Sequence, residues 1–218
     1  MLEENKKTAQ IAGIWWLLFI LIGPISYLIV DGKLLVLDDA AATVRSINSN
    51  MALFWAGVVA FLAGYACFIL LAKALCRLFK SVDSKLTKVM MGLVIAGTAL
   101  VLVGKIAEIT AANVSNIEYA ARLFDLRTNI EMAGELFWGL WLLPLALLIL
   151  KSNLIPKVIG VALLLNVVAH LAIFVGFFIG GVILDTNPVI LILGMGEFII
   201  TLWLLIKGVK RGKGESAL

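Results

Sequence analysis

The sequence is poor in charged residues, histidine and cysteine. Only 15% of its 218 residues are charged, one is histidine and two are cysteine, while 62% are hydrophobic. Soluble domains carry about 25% charged and about 45–50% apolar residues. This balance excludes a soluble enzyme, a disordered chain and a nucleic-acid-binding module, and it is typical of a polytopic membrane protein.

Catalytic motifs are also scarce. The sequence has no His-Glu-x-x-His or Glu-x-x-His pair and no glycine-rich loop that would bind phosphate. Cys67 and Cys76 are separated by about 13.5 Å along a helix, which is too far for a disulfide between them. No serine, cysteine or aspartate has a partner that would make it a nucleophile. Whether the protein is an enzyme, and whether it uses a cofactor, is left open by the sequence.

Long apolar segments predict an all-α fold. A helix that crosses about 30 Å of hydrocarbon needs about 20 mostly apolar residues, and continuous apolar runs favour helices over strands because lipid offers the backbone no hydrogen bonds. The predicted spans are Ile11–Val30, Met51–Leu75, Thr87–Ile109, Glu131–Leu150, Lys157–Leu184 and Pro188–Gly208. With no linker or internal repeat, residues 1–218 are interpreted as one six-helix domain.

The basic residues predict the orientation. Thirteen of the 18 lysines and arginines lie near the N-terminus, in the loops after the second and fourth spans, and in the C-terminal tail. Because basic residues concentrate on the cytoplasmic side of membrane proteins, we expect both termini to be cytoplasmic. The net charge of +4 is therefore a topology signal. It indicates the lipid bilayer as a partner and gives no reason to expect nucleic acid.

Each of the two longer outer loops is predicted to hold a short amphipathic helix at the membrane surface. In the first loop, Asp38 or Asp39 can cap a helix, and in the second the stretch Ser115–Glu118 fits a capping box. The apolar stripes behind these caps are Ala40, Val44, Ile47 and Met51 in the first loop, and Ile117, Ala121 and Phe124 in the second. We expect these helices to lie flat on the surface or to cover the bundle.

Six ionisable residues interrupt the apolar segments. They are Lys105 and Glu108 on the third span, Glu131 and Glu135 on the fourth, His170 on the fifth and Glu197 on the sixth. Each would cost about 2.5–3.5 kcal/mol at membrane depth, so such groups normally face the protein interior or water. Counting 1.5 Å per residue along each helix, all six fall between the midplane and the outer surface. We therefore expect one shared polar pocket in the outer half of the bundle.

Neighbouring polar and aromatic residues extend this pocket at helical spacing. Asn166 lies four residues before His170, and Thr201 lies four residues after Glu197, so each pair shares a helix face. Trp138 and Trp141 are too deep for the interfacial aromatic belt. We interpret them as packing residues, with the lining of a ligand cavity as the alternative.

Three interpretations of the ionisable residues remain open. In a charge network, Lys105 would neutralise Glu108 or Glu135, and the other carboxyls would stay protonated. In a water-filled cavity, Glu135, His170 and Glu197 would bind a small solute or pass protons. In a metal site, the same three residues would hold zinc or iron, with Glu108 or Glu131 as the base. We favour small-solute or proton-linked transport or sensing, with an intramembrane metal-dependent enzyme as the alternative.

Short motifs along the chain resemble those of a bacterial membrane-protein family, the domain of unknown function 4386. The residues that carry the resemblance are the stretch Leu148–Gly160, Gly13, Asp39 with Thr43 and Ile47, and Glu197 with Trp203, Leu204 and Gly208. The resemblance spans nearly the whole chain and implies a six-helix protein of the bacterial inner membrane. It implies no catalytic residues, and Lys105 and His170 have no counterpart in the pattern.

Overall fold

Long apolar runs form helices in the computed structural model, which describes residues 2–36, 39–182, 184 and 187–210. In chain order the elements are α1 (Leu2–Ile29), a π-helical turn (Val30–Leu34), α2 (Ala40–Ser49), α3 (Met51–Phe79), α4 (Ser84–Asn113), α5 (Ile117–Lys151), α6 (Lys157–Phe178), α7 (Pro188–Leu193) and α8 (Gly196–Ile206). These residues contain no β-strand. Within this described part of the chain, six helical segments are long and apolar enough to cross a membrane, as predicted, and the chain is a multi-pass membrane protein.

The fourth span differs from its predicted form because α5 is one continuous helix of 35 residues. Residues 117–133 contain neither glycine nor proline, so nothing separates the predicted surface helix from the span that follows it. Asn116, rather than Ser115, caps the helix by accepting a hydrogen bond from the backbone N–H of Tyr119 at 3.0 Å. Glu131 consequently lies well inside a helix instead of at the start of one.

The last two spans also differ from the prediction: the fifth ends earlier, and the sixth is interrupted. Helix α6 stops at Phe178, since Gly181 adopts a positive φ of 61° that only glycine takes readily. The sixth span is divided into α7 and α8 by a turn at Gly194 and Met195. This turn places Glu197 in the first turn of α8.

The helices contribute to two compact units. The first unit comprises the described residues of Met1–Leu17, Phe68–Gly97 and Glu135–Leu218. Within it α6 packs against α7 and α8. Helix α1 approaches α8 closely, because a Cβ on Gly13 would lie only 2.8 Å from the backbone nitrogen of Leu205.

The second unit comprises Leu18–Cys67 and Thr98–Gly134. Its main apolar cluster consists of Val30, Leu34, Ile47, Phe54, Val58 and Ala112. Helix α2 is capped as predicted by Asp39, which accepts a hydrogen bond from Ala42 N at 2.7 Å; Asp38 lies outside the described residues. Ile47 is fully buried, so α2 packs on the rest of this unit. Its position at the membrane surface stays a prediction.

Candidate functional site

The structure distributes the six ionisable residues over two groups, one in each unit. Lys105, Glu108 and Glu131 belong to the second unit, where they join Asp31 and Arg127. We call these five residues the Arg127 network. In the first unit, Glu135, His170 and Glu197 join Asn166. We call these four residues the His170 cluster.

In the Arg127 network, Lys105 and Glu108 form a fully buried ion pair on α4. The Lys105 Nζ atom donates to both carboxylate oxygens of Glu108, at 2.7 and 2.8 Å. The same ammonium group lies 4.7 Å from the centroid of the Phe61 ring on α3, a favourable cation–π distance. A buried charge is costly unless an opposite charge lies next to it, and here each of the two residues is the partner of the other.

Arg127 on α5 binds the π-helical turn after α1. Its Nη1 and Nη2 atoms donate to the two carboxylate oxygens of Asp31 at 2.6 and 2.7 Å, which is the bidentate geometry that suits guanidinium. Its Nε atom lies 3.0 Å from Glu108 and 2.9 Å from Glu131. Neither oxygen lies along the Nε–H direction well enough to accept a hydrogen bond. Arg127 therefore contacts three carboxylates but donates hydrogen bonds to one.

Sequence reasoning missed Asp31 and Arg127, since both were assigned to segments beyond the ends of the predicted spans. The signal for Arg127 was its position four residues before Glu131 in a stretch without helix breakers, which puts both side chains on one helix face. Asp31 gave no comparable signal. A carboxylate one residue past an apolar run is ordinary in a membrane protein.

In the His170 cluster, an imidazole lies between two carboxylates from different helices. His170 Nδ1 on α6 lies 2.6 Å from Glu135 Oε2 on α5, and its Nε2 lies 3.4 Å from Glu197 Oε1 on α8. Asn166 donates from Nδ2 to the same Glu197 oxygen at 3.0 Å. A neutral imidazole has one N–H and a protonated one has two, so only the protonated ring can donate to both carboxylates.

Two glycines allow these helices to approach at the cluster. A Cβ on Gly139 of α5 would lie 3.0 Å from the His170 Cβ, and a Cβ on Gly196 of α8 would lie 2.7 Å from the backbone oxygen of Ala162 on α6. The close approaches bring the carboxyl groups of Glu135 on α5 and Glu197 on α8 to the His170 ring on α6. The ring and both carboxyls remain about one-fifth exposed.

The remaining predicted site residues have other contacts. Thr201 donates its hydroxyl to the backbone oxygen of Glu197 at 2.7 Å, a bond internal to α8. Trp141 is 2% exposed, and its ring lies 5.0 Å from Phe68 and 5.5 Å from Trp16. The Trp138 ring lies 5.1 Å from Phe68. Trp141 thus packs in an aromatic core, and a cavity lined by either tryptophan stays a prediction.

A metal centre is not assembled within the described residues. No group of three or more His, Cys, Asp or Glu side chains in this part of the chain is arranged to hold a metal ion. In the His170 cluster, both ring nitrogens already face carboxylate oxygens. The geometry provides hydrogen-bonding partners to the ring, and it gives the metal-dependent enzyme no support.

The model of a protein family, the domain of unknown function 4386 (DUF4386), matches residues 11–208. The chain belongs to this family. The matched region contains all four members of the His170 cluster and all five of the Arg127 network. Comparison with curated proteins and comparison with solved structures gave no match.

The residues that resemble DUF4386 mostly have structural roles. Gly13 permits the contact between α1 and α8, Gly208 has a positive φ of 67°, and Asp39 caps α2. Thr43 bonds through its hydroxyl to the backbone of Val36. Glu197 is different, because it is the member of this set that contacts His170. The resemblance therefore marks the fold at several positions and the His170 cluster at one.

Proposed function

We propose that this DUF4386 protein moves protons through the His170 cluster, in proton-linked transport or sensing of a small solute across the membrane. The observation that carries the proposal is the imidazole held between Glu135 and Glu197. Histidine is the side chain whose ordinary charge change falls near neutral pH. An imidazole in contact with a carboxyl on each side can take up a proton from one and release it to the other.

Partial exposure supports this role. The side chains of Glu135, His170 and Glu197 are 19–20% exposed, although they belong to apolar helices. Ionisable residues inside membrane spans are costly and commonly belong to solute or proton pathways. A group that exchanges protons with water needs this access, whereas a purely structural pair is better isolated from water.

The interrupted sixth span also supports transport. Helix α8 begins at Gly196, directly after the turn that ends α7, and Glu197 lies in its first turn. Discontinuous membrane helices are a recurrent feature of the binding sites of secondary transporters.

We also propose that both termini lie on the cytoplasmic side. Three contacts of the first unit support a common side for four segments of the chain. A Cβ on Gly208 would lie 3.0 Å from the Lys6 side chain, Lys210 N donates to Leu154 O at 2.7 Å, and Lys151 Nζ lies 2.8 Å from Asp83 Oδ2. The basic residues of these segments favour the cytoplasmic side.

Proton movement can be measured in liposomes that contain the purified protein and an entrapped pH-sensitive dye. After a pH step outside, we expect the lumen of liposomes with the unaltered protein to re-equilibrate faster than that of protein-free liposomes. Glu197→Gln and His170→Gln should lower the rate to that of protein-free liposomes, because each removes one proton-exchanging group.

The matched control is Glu118→Gln, which removes an exposed carboxyl on α5 whose contact is Arg122. We expect this variant to keep the unaltered rate. Thermal unfolding in detergent verifies that each variant is folded. Equal rates for the unaltered protein, Glu197→Gln and His170→Gln would overturn the proposal.

A further inference from the structure

The Arg127 network contains more acidic than basic groups. Its carboxyls are Asp31, Glu108 and Glu131, and its cations are Lys105 and Arg127. With every group ionised, the network would carry one uncompensated negative charge. Four of its five side chains are at most 10% exposed, and Asp31 is 34% exposed. Water therefore compensates little of that charge.

The geometry identifies which carboxyl is in excess. Both carboxylate oxygens of Glu108 accept hydrogen bonds from Lys105, and both carboxylate oxygens of Asp31 accept hydrogen bonds from Arg127. Each cation is thus matched to one carboxylate through two short bonds. Among the described residues, the ion-pair contact of Glu131 is that of its Oε1 with Arg127 Nε at 2.9 Å, which lacks hydrogen-bond alignment.

We propose that Glu131 is a proton-binding site and that its carboxyl holds one proton at neutral pH, which makes the network electrically neutral. A buried carboxylate without a matched cation is strongly unfavourable, and protonation removes that cost. The five residues of this network belong to the second unit, and none of them is a member of the His170 cluster.

The groups that face Glu131 come from three sides. Arg127 precedes it by one helical turn on α5. Lys105 and Glu108 lie on α4, and Asp31 lies on the π-helical turn. Tyr27 of α1 is also close enough to interact electrostatically with Glu131 and Arg127. When the proton leaves, Glu131 competes with Asp31 for Arg127, so the protonation of Glu131 controls the hydrogen bonds that Arg127 gives to the π-helical turn.

Infrared spectroscopy of the purified protein in detergent tests the site, because a protonated carboxyl has a C=O stretching band that a carboxylate lacks. We expect Glu131→Gln to remove the band of one carboxyl at neutral pH and to remain folded, since glutamine resembles a protonated glutamate in shape and charge. Glu118→Gln, an exposed position on the same helix, should leave the band unchanged.

Two further variants test the charge count without altering Glu131. Asp31→Asn leaves two carboxyls and two cations, so Glu131 should ionise and the band of one carboxyl should disappear. Lys105→Met leaves three carboxyls and one cation, so the band should grow by one carboxyl. These variants keep the test decisive if Glu131→Gln does not fold.

Three results would overturn the proposal. The first is a carboxyl band that is equal in the unaltered protein and in Glu131→Gln. The second is an unchanged band in Asp31→Asn. The third is loss of the band from the unaltered protein on addition of sodium chloride at constant pH, which would show that a monovalent cation, instead of a proton, balances the network. None of these results depends on proton flux through the His170 cluster.

Discussion

The two polar groups of the molecule differ in how their carboxyls are balanced. In the Arg127 network, the basic side chains are Lys105 and Arg127, and each is 4% exposed. In the His170 cluster, the described contacts include no lysine or arginine, and the balancing group is an imidazole that is 19% exposed. Buried ion pairs with lysine and arginine suit a group that stabilises the fold, whereas a titratable and accessible ring suits a group that exchanges protons with water.

The same difference is seen in their hydrogen bonds. Asp31 and Glu108 each accept two short bonds from one cation, which fixes the position of both partners. His170 makes one short contact and one of 3.4 Å, so its two sides are unequal. These differences motivate the hypothesis that the Arg127 network mainly stabilises the second unit and that the His170 cluster carries the proposed proton movement. The following predictions test this assignment.

The largest decrease in the free energy of unfolding is expected from Arg127→Met. This change leaves Asp31 without its bidentate partner and removes the cation nearest Glu131, while the apolar stem is largely retained. Removing one partner of a buried ion pair costs about 3–5 kcal/mol, and we expect a decrease of this size in the free energy of unfolding in mixed detergent micelles. The control Arg122→Met removes an exposed arginine of the same helix and should cost about 0.5 kcal/mol or less. Equal losses in the two variants would contradict a stabilising network.

A smaller decrease in the free energy of unfolding is expected from Lys105→Met. Glu108 loses two hydrogen bonds from a cation but keeps the contact with Arg127 Nε at 3.0 Å. Hydrogen bonds to charged groups contribute about 1.5–3 kcal/mol, which is the expected decrease in unfolding free energy. Combining this change with Glu108→Gln should recover part of the loss, because the carboxyl left without its basic partner is replaced by a neutral amide. A double-mutant cycle measures the coupling, and strictly additive losses would show that the two residues do not act as a pair.

The membrane class and the ionisable candidates could be predicted from the sequence because a charge within an apolar run is conspicuous. Lys105, Glu108 and His170 were identified in this way. Arg127 was missed, because it lies outside the apolar part of α5 and a charge there is unremarkable by itself. Arg127 can be placed in the network only when α5 is continuous from Ile117 to Lys151. That continuity follows from the lack of a helix breaker in residues 117–133.

The grouping into two sets could not be predicted from spacing along single helices. Contacts between helices decide that Arg127 meets Asp31 and that His170 meets Glu135 and Glu197. The contacts of His170 are accompanied by close helix approaches at Gly139 and Gly196. The break between α7 and α8 was also missed, because the apolar run from Pro188 is continuous in sequence. Hydrophobicity predicts that a segment enters the membrane, but it carries little information on where the helix is interrupted.

His170→Gln should have a small effect on stability and a large effect on function, which sharpens the contrast with Arg127→Met. The ring is partly exposed, and glutamine can still donate to one carboxyl. We expect the unfolding free energy to fall by about 0.5–1.5 kcal/mol, as for the loss of one ordinary hydrogen bond, together with loss of proton movement in liposomes. A decrease as large as that in Arg127→Met would instead make the His170 cluster a second structural network.

The smallest effect on stability is expected from a partly exposed ion pair at the ends of the membrane spans, between Asp83 and Lys151. Asp83, between α3 and α4, accepts a hydrogen bond from Lys151 Nζ at 2.8 Å, and it also accepts from Leu86 N at the start of α4. The bond from Lys151, followed by the bond from Leu86, lowers the pKa of Asp83 below its usual value.

The lowered pKa predicts how stability depends on pH. A carboxyl whose pKa is lower in the folded state stabilises the protein at pH values above its unfolded pKa, about 3.9 for aspartate. This stabilisation is lost as the pH falls through the folded pKa. Unfolding measured from pH 6 downward should therefore lose slightly less stability in Asp83→Asn than in the unaltered protein. Identical pH profiles would show that the contacts of the Asp83 carboxylate contribute nothing to stability.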